Sequence, residues 1–361
     1  MNDSSVDPRI RKFLSNQKDI QIDRYSSKGG FGELYFGQRK ILGDRVALKF
    51  YNAKDGSGHE EAVLLKTITH ENILPIYDAR MIDDEISFYL TPEMDGGDLQ
   101  NIIDSYIINT NIAIEIISNI LKALTELHKN GNSLVHRDLK PDNVLVDLKD
   151  GVKTYLSDFG TIRKLPNNQD YVSASTFSFF YRPCEALKNK YYKESDIYQV
   201  GIILFQILGG DFPVKEPYKW LNSKELKKIE SLSSDDEKYD YLTSILNNLI
   251  VKGKLLNIDS LPIYINKKLK SIIKKATSID YQRRYSSTSE FLKALFDYQK
   301  TAKIWWKEDQ IIFAFCPKSK MNYKIFQNKK NYILQCSKDN NNWRKKKEGC
   351  LKELIKTIEQ K

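Results

Sequence analysis

The stretch from Leu134 to Leu145, LVHRDLKPDNVL, constrains this chain more than any other part of it. Apolar residues begin and end the stretch, which indicates a polar loop between two buried segments. Within the loop, Asp138 is followed by Lys140 and then by Asn143. A carboxylate, an ammonium and an amide at this spacing can supply a base, a phosphate-neutralising cation and a metal ligand. The stretch therefore predicts phosphoryl-transfer chemistry.

A second motif, the tripeptide DFG at residues 158–160, follows a turn downstream of this loop. Together the two motifs resemble those of eukaryotic-type serine/threonine protein kinases, and the resemblance extends over roughly residues 20–298. It implies that Asp138 orients and deprotonates a substrate hydroxyl while Lys140 neutralises the γ-phosphate of ATP. It also implies that Asn143 and Asp158 bind Mg²⁺. A lysine two residues after the aspartate is the pattern of the serine/threonine class.

The resemblance implies an α+β, bilobal protein-kinase fold. We expect a kinase domain at residues 20–300, with an antiparallel β N-lobe at 20–91 and a mainly helical C-lobe at 96–300. Short alternating segments at 20–22, 33–37 and 45–50 independently indicate strands in the first of these lobes. Residues 1–19 are polar and are predicted to form an irregular or helical lead-in. Residues 214–270 form an insert, for which a surface helix pair is favoured over a docking surface.

An ion pair is predicted between Lys49 and Glu61. Lys49 ends the apolar run VALK, which resembles the third kinase strand and implies contact with the α- and β-phosphates. Glu61 lies nine residues before His70, as the glutamate of the family's helix C does. Glu60 is the competing residue, displaced by about 100° around the helix.

Other ATP contacts are implied by a glycine-rich stretch at 27–34 and by a hinge at 91–99. Glycines let backbone N–H groups approach phosphates, although a plain structural turn is the alternative for this stretch. In the hinge, Thr91 would be the gatekeeper, the Pro92 carbonyl would accept from adenine and the Met94 N–H would donate to it. The full set implied by the resemblance is Ser27, Lys28, Gly29, Gly30, Phe31, Gly32, Leu34, Ala47, Lys49, Thr91, Pro92, Met94 and Leu145.

The segment 161–180 resembles an activation loop. Arg137 would pair with a phosphate on it, for which the candidates are Ser173, Ser175 and Thr176. Ser178 is expected instead to contact Asp138 and Lys140 in the stretch 134–145, which we call the catalytic loop.

Three further positions match structural residues of the family. Glu185 is expected to pair with Arg284, and Asp196 to anchor the backbone of the catalytic loop. Cys184 is expected to be a buried, inert thiol rather than a redox-sensitive one.

The formal net charge of +10 is concentrated at the C-terminal end. Residues 297–361 contain 16 Lys and Arg against 7 Asp and Glu, a net of +9, which leaves about +1 for the rest. The four cysteines are widely spaced and indicate neither a disulfide scaffold nor a structural metal. No apolar run is long enough to span a bilayer, so we expect no membrane insertion and a cytoplasmic protein.

Residues 301–361 are predicted to form a small β-β-β-α module. Strands are expected at 311–315, 323–327 and 331–336, followed by a helix at 351–358. Its surface could include Trp305, Trp306, Trp343 and the basic run 344–347, and such a surface could bind nucleic acid or another anionic partner. The favoured alternative is an appendage that packs its tryptophans on the C-lobe.

The sequence thus predicts a serine/threonine protein kinase that uses ATP and Mg²⁺ and phosphorylates Ser/Thr hydroxyls of protein substrates. Regulation by activation-loop autophosphorylation is expected. The alternatives are a pseudokinase-like scaffold or sensor, and a kinase regulated by nucleic acid bound to the C-terminal module.

Overall fold

The computed structural model describes residues 7–26, 32–52, 59–129, 131–175 and 179–360, and for Glu60 the backbone only. The chain divides into two compact units, residues 1–99 with 142–162 and residues 100–141 with 163–361. Several predicted site residues lie outside the described ranges: Ser27, Lys28, Gly29, Gly30, Phe31, Thr176 and Ser178.

The first unit is built on an antiparallel sheet with the strand order β1-β2-β3-β5-β4. These strands are β1 (Ile20–Ser26), β2 (Glu33–Arg39), β3 (Arg45–Asn52), β4 (Asp78–Met81) and β5 (Ile86–Pro92). Their alternating apolar residues, including Tyr35, Leu48 and Phe88, bury one face of the sheet. The lead-in is helical there: α1 (Pro8–Asn16) packs Ile10 and Leu14 against this face.

Helix α2 (His59–Thr67) and the hairpin of β7 (Val144–Asp147) and β8 (Lys153–Leu156) complete the first unit. A short 3₁₀ turn at Phe159–Thr161 follows β8 and contacts α2. The unit therefore gathers segments that lie about a hundred residues apart in the sequence.

The second unit is mainly helical. Its helices are α3 (Leu99–Ser105), α4 (Thr110–His128), α5 (Lys193–Ile207), α6 (Ser223–Glu230), α7 (Asp235–Val251), α8 (Lys267–Ala276) and α9 (Thr288–Gln299). Apolar residues recur at helical spacing along α4, which is why one side of it is buried. Helix α5 is buried almost all round and packs against both α4 and α8. The two-residue strands β6 (Leu134–Val135) and β9 (Arg163–Lys164) pair beside them.

The predicted insert contains the packed helix pair α6 and α7. Its acidic run is the start of α7, where the Ser234 hydroxyl accepts from the Glu237 N–H and the Glu237 carboxylate accepts from the Ser234 N–H. Acidic residues at a helix N-terminus accept hydrogen bonds from exposed N–H groups, and their negative charge interacts favourably with the positive end of the helix dipole. Helix capping thus accounts for these charges.

The C-terminal module contains strands followed by a helix, as predicted, but the sheet has five strands rather than three. They form a meander of β10 (Ile304–Glu308), β11 (Ile311–Cys316), β12 (Met321–Asn328), β13 (Asn331–Ser337) and β14 (Arg344–Gly349), followed by α10 (Leu351–Glu359). The first and last strands were not predicted. Besides β10, the strand missed is β14, which consists largely of charged residues that read as a solvated run.

Trp305 does not lie on the surface of the module, because its side chain is only 1% exposed; it packs inward, as the favoured alternative expects. Its ring stacks on Tyr264, its backbone N–H donates to the Thr110 hydroxyl at 3.0 Å, and its indole donates to Glu359 at 2.9 Å. Trp305 thereby fixes β10 to α4 and to the end of α10.

Within the described ranges, no helix is both long and apolar enough to cross a membrane.

Candidate active site

In the first unit, Lys49 lies between two carboxylates. Its Nζ is 3.0 Å from Glu61 Oε1 and 3.1 Å from Asp158 Oδ1. The three residues come from β3, α2 and the segment after β8, so the fold brings together groups that the sequence separates by up to 109 positions. The predicted Lys49–Glu61 ion pair is therefore present, whereas the side chain of the competing Glu60 lies outside the described part.

Glu61 is held by more than the lysine. The Tyr89 hydroxyl donates to Glu61 Oε1 at 2.9 Å, and the Phe159 backbone N–H donates to the same atom at 3.1 Å. Tyr89 lies on β5 directly opposite Lys49 on β3. Sequence reasoning missed Tyr89, because its role depends on that cross-strand register rather than on a motif.

This environment favours the charged form of Lys49. Burial opposes the charge, but the neighbouring phenol and the two carboxylates outweigh it, so the pKa of the Lys49 ammonium lies well above its usual value. Burial, followed by the adjacent Glu61 carboxylate, likewise raises the pKa of the Tyr89 phenol well above its usual value. Tyr89 is therefore a proton donor to Glu61 at neutral pH, and Lys49 is a cation that can face phosphate.

Asp158 and Asn143 are the predicted metal ligands. Asp158 has a left-handed backbone with φ +60°, an uncommon conformation for a residue other than glycine and typical of functional positions. The Asn143 carbonyl accepts from both the backbone N–H and the hydroxyl of Ser157, each at 3.0 Å, which ties β7 to the segment that carries Asp158. A carboxylate and an amide oxygen form a hard donor set of the kind that Mg²⁺ prefers, so these residues fit that ion.

Several predicted nucleotide contacts are placed by the strands around Lys49. Leu34 lies opposite Lys49, and Ala47 lies opposite Thr91, which is 4% exposed. At the end of the glycine-rich stretch, Gly32 has φ +144°, and an added Cβ would lie 1.8 Å from the Phe50 carbonyl oxygen. Only glycine fits there.

The remaining predicted contacts follow β5 or lie on β7. Pro92 ends β5 and is half-buried, and Met94 is buried just after it. Leu145 on β7 is half-buried and forms an isolated bridge with Asp98.

In the second unit, the catalytic loop holds Asp138 fully buried. Its Oδ2 accepts from Lys140 Nζ at 3.1 Å. The backbone of the next residue is also held in place, because the Leu139 N–H donates to the Gln199 side chain at 2.9 Å. The loop therefore presents a carboxylate and an ammonium in a defined arrangement.

Asp196 at the start of α5 anchors the loop, as predicted. Its carboxylate accepts from the backbone N–H groups of His136 and Arg137, at 2.9 and 3.0 Å, and from the side chains of His128 and Tyr191, both at 2.8 Å. Burial opposes the charged form, but these hydrogen bonds outweigh it, so the pKa of Asp196 is lowered. The anchoring holds Arg137 at φ +71°, directly before the predicted base.

Arg137 also contacts the activation segment. Its guanidinium donates to the Ser173 carbonyl at 2.6 Å. Burial, followed by repulsion from Arg163, lowers the pKa of Arg137. Arg137 thus places a cation against the segment that carries the predicted phosphorylation sites.

The predicted Glu185–Arg284 pair is bidentate, with N–O distances of 2.7 and 2.8 Å, and the Arg284 side chain is fully buried. Arg284 also donates to the Glu194 carbonyl at the start of α5. Cys184 beside this pair is half-buried rather than buried as predicted, and this partial burial raises the pKa of its thiol, which disfavours the reactive thiolate.

Comparisons with known proteins agree with this geometry. A family model described as the protein kinase domain matches residues 26–296. Serine/threonine-protein kinase CLA4 of Candida albicans is 28% identical over 258 residues, which cover 66% of this chain and 26% of that protein. Calcium-dependent protein kinase 5 of Plasmodium falciparum is 32% identical over 219 residues, which cover 58% of this chain and 37% of that protein.

A bacterial relative is similar to the same extent. Probable serine/threonine-protein kinase PknB of Lactococcus lactis is 32% identical over 210 residues, which cover 54% of this chain and 33% of that protein. The chain spans about a quarter to just over a third of the length of these relatives. The matched region ends before the C-terminal module. The chain belongs to the protein kinase family, of the eukaryotic serine/threonine type.

Proposed function

We propose that this chain transfers the γ-phosphoryl group of Mg·ATP to serine and threonine hydroxyls of protein substrates. The observation that carries the proposal is the Lys49–Glu61–Asp158 cluster, with its N–O distances of 3.0 and 3.1 Å. A pseudokinase-like scaffold would tolerate the loss of one of these groups. Here the lysine, both carboxylates, Asn143 and the predicted base Asp138 are all present.

Each residue has a distinct role in the proposed reaction. Lys49, held in place by Glu61, binds the α- and β-phosphates as a cation. When bound, Mg²⁺ would supply positive charge to offset the negative charge that develops on the phosphates during transfer. Asp158 and Asn143 would hold this ion through oxygen atoms.

The catalytic loop acts on the accepting hydroxyl. Asp138 orients that hydroxyl and takes its proton, and Lys140 neutralises negative charge on the γ-phosphate. Burial of Asp138 and the backbone anchoring by Asp196 keep the carboxylate in one position, so little reorganisation is needed during the reaction.

The experiment is radiolabel transfer from [γ-³²P]ATP to a generic protein substrate in the presence of Mg²⁺. We expect phosphoserine and phosphothreonine but no phosphotyrosine in the product. Asp138→Ala should abolish transfer while retaining nucleotide binding, measured as a thermal shift with Mg·ATP. Absence of transfer by the wild-type chain, with intact nucleotide binding, would favour the scaffold alternative.

We further propose that phosphorylation of Ser173 or Ser175 regulates the kinase. The hydrogen bond from the Arg137 guanidinium to the Ser173 carbonyl supports this, because a phosphate on this segment would lie within reach of that cation. Thr176, the third candidate, lies outside the described residues. Intact-mass measurement after incubation with Mg·ATP should show added phosphate, and full activity at an unchanged mass would contradict autophosphorylation.

A further inference from the structure

The outer face of the C-terminal sheet carries a row of aromatic and polar side chains. On β11 and β12 every second residue packs against α10, and the residues between them point to the opposite face. The strand register places five of these outer residues side by side across the sheet: Trp306, Phe313, Lys324, Gln335 and Lys345. None of the five belongs to the core cluster that packs on α10.

A concavity of about 310 Å³ opens on this face. It is lined by Trp306, Ile311, Phe313, Asn322, Tyr323, Lys324, Asn340 and Trp343. The rings of Trp306 and Phe313 stack with their centres 5.3 Å apart and an interplanar angle of 11°, and Lys324 Nζ lies 4.4 Å from the Trp343 ring centre. The lining thus combines aromatic surfaces with a cation and contains no carboxylate.

The loop that presents Trp343 is held in place by local hydrogen bonds. The indole N–H of Trp343 donates to the Asn340 carbonyl at 2.9 Å. The Asp339 carboxylate accepts from the backbone N–H groups of Asn341 and Asn342, at 3.0 and 2.9 Å, and from the Ser337 hydroxyl at 2.8 Å. The side of the concavity formed by Trp343 is therefore already in place before a ligand binds.

The charge of the module selects among ligands for such a concavity. Residues 304–349 contain 11 Lys and Arg against 4 Asp and Glu, a net of +7. A methylated-lysine peptide would meet the cation Lys324 without an opposing carboxylate. A neutral proline-rich peptide would leave the lysines without a counter-charge. A single strand of nucleic acid offers both flat bases and phosphates, and base pairing would hide the base faces in a duplex.

We propose that this face of the C-terminal sheet binds single-stranded nucleic acid. Bases stack on Trp306, Phe313 and Trp343, and Lys324 contacts the phosphates. RNA and DNA share this chemistry, and they differ by the 2′-hydroxyl, which the polar Asn322 and Asn340 in the lining can contact. The proposal does not depend on the phosphotransfer activity of the chain.

The test is fluorescence anisotropy of the full chain with labelled 12-mer RNA, 12-mer DNA and a matched duplex, at two salt concentrations. We expect both single strands to bind more tightly than the duplex, with an affinity that falls as salt rises. Trp343→Ala should weaken binding roughly 5- to 150-fold, the range observed when a base-stacking aromatic is removed. Lys324→Glu should also weaken binding. The slope of log K against log salt concentration should become shallower by about one.

Matched variants separate a defined site from diffuse attraction. Lys352→Glu changes the same charge on an exposed position of α10, and Phe296→Ala removes an exposed aromatic ring from α9. Neither should change binding more than about twofold. Thermal melting of each variant shows whether it is folded, and Trp343 lies outside the strands, so its removal leaves the sheet intact.

Three outcomes would overturn the proposal. One is no binding of any oligonucleotide at low salt. Another is equal loss of affinity in Lys324→Glu and Lys352→Glu with none in Trp343→Ala, which would mean non-specific electrostatic attraction. The last is binding of a trimethyl-lysine peptide without binding of oligonucleotides.

Discussion

At the scale of single residues, the hydrogen bonds to Glu61 are the most informative feature. Lys49 and Glu61 match a familiar motif, whereas Tyr89 does not, yet its hydroxyl lies 2.9 Å from the Glu61 carboxylate. A hydroxyl that donates to a buried carboxylate positions that carboxylate for its cation. Tyr89 is therefore a positioning residue for Lys49.

Replacing Tyr89 tests this role. Tyr89→Phe keeps the ring and removes only the hydroxyl, so we expect the free energy of unfolding to fall by about 1.5–3 kcal/mol, the value of a hydrogen bond to a charged group. Phosphoryl transfer should slow as well, because Glu61 holds Lys49 less firmly. Chemical denaturation and single-turnover kinetics measure the two effects. Tyr77→Phe, at a half-exposed position of the same unit, should change neither; equal effects in both variants would refute a specific role.

The lowered pKa of Asp196 predicts a pH dependence of stability. Its pKa is lower in the folded chain than in the unfolded chain, so the unfolded chain binds the proton more tightly. The stabilisation is fully present above the usual value of 3.8 and is lost as pH falls through the folded pKa. Asp196→Asn should therefore flatten the decline in unfolding free energy below about pH 4.

Denaturant titrations at a series of pH values measure this slope. Asp240→Asn removes a carboxylate from an exposed position of α7 and is the matched control. A decline in Asp196→Asn as steep as in the wild-type chain would show that this carboxylate does not contribute.

At the scale of secondary-structure elements, the close approach of the start of β2 to β3 depends on Gly32. Gly32→Ala would introduce a positive-φ alanine and place its Cβ 1.8 Å from the Phe50 carbonyl oxygen. Gly43 also has a positive φ, of +73°, but nothing lies within 4 Å of its added Cβ. Comparing alanine substitutions at these two glycines therefore separates the cost of backbone strain from the cost of a steric clash.

We expect Gly43→Ala to cost only the strain of a left-handed alanine, about 1–2 kcal/mol of unfolding free energy. Gly32→Ala should cost more and should also raise the KM for ATP, because β2 must move away from β3. Denaturation and steady-state kinetics at varied ATP distinguish the variants. Similar costs in both, with an unchanged KM, would mean that the close contact is relieved elsewhere.

The elements also show how far the sequence alone could go. Contiguous motifs located Asp138, Lys140, Asn143 and the DFG segment, because their spacing is fixed by one loop or one turn. Tyr89 was missed because only the pairing of β3 with β5 reveals that it faces Lys49. Strand β14 was missed because its residues are mostly charged. The sequence left open whether Trp305 is exposed or packed, because two adjacent tryptophans on a strand point to opposite faces and the sequence does not say which face is buried.

At the scale of the whole molecule, buried ion pairs connect distant parts of the second unit. Glu185 follows the activation segment and Arg284 precedes α9, and the two form a bidentate ion pair. Arg284 also donates to the Glu194 carbonyl at the start of α5. Removing one partner leaves the other charge buried without compensation. Glu185→Ala should therefore lower the unfolding free energy by about 3–5 kcal/mol.

Chemical denaturation measures this loss. The solvent-exposed pair of Lys219 and Glu216 is the control, and Glu216→Ala should have no measurable effect on stability. If Glu185→Ala is no less stable than Glu216→Ala, the buried pair does not hold these segments together.

The account as a whole depends on Lys49 acting on phosphate. The most direct measurement is the single-turnover rate of phosphoryl transfer by Lys49→Met at saturating Mg·ATP, since methionine approximates the aliphatic part of the lysine side chain and removes its charge. The account predicts a decrease of at least about 100-fold, typical of losing one preorganised electrostatic contact to the transition state. A rate within about twofold of the wild-type rate, in a folded variant, would contradict it.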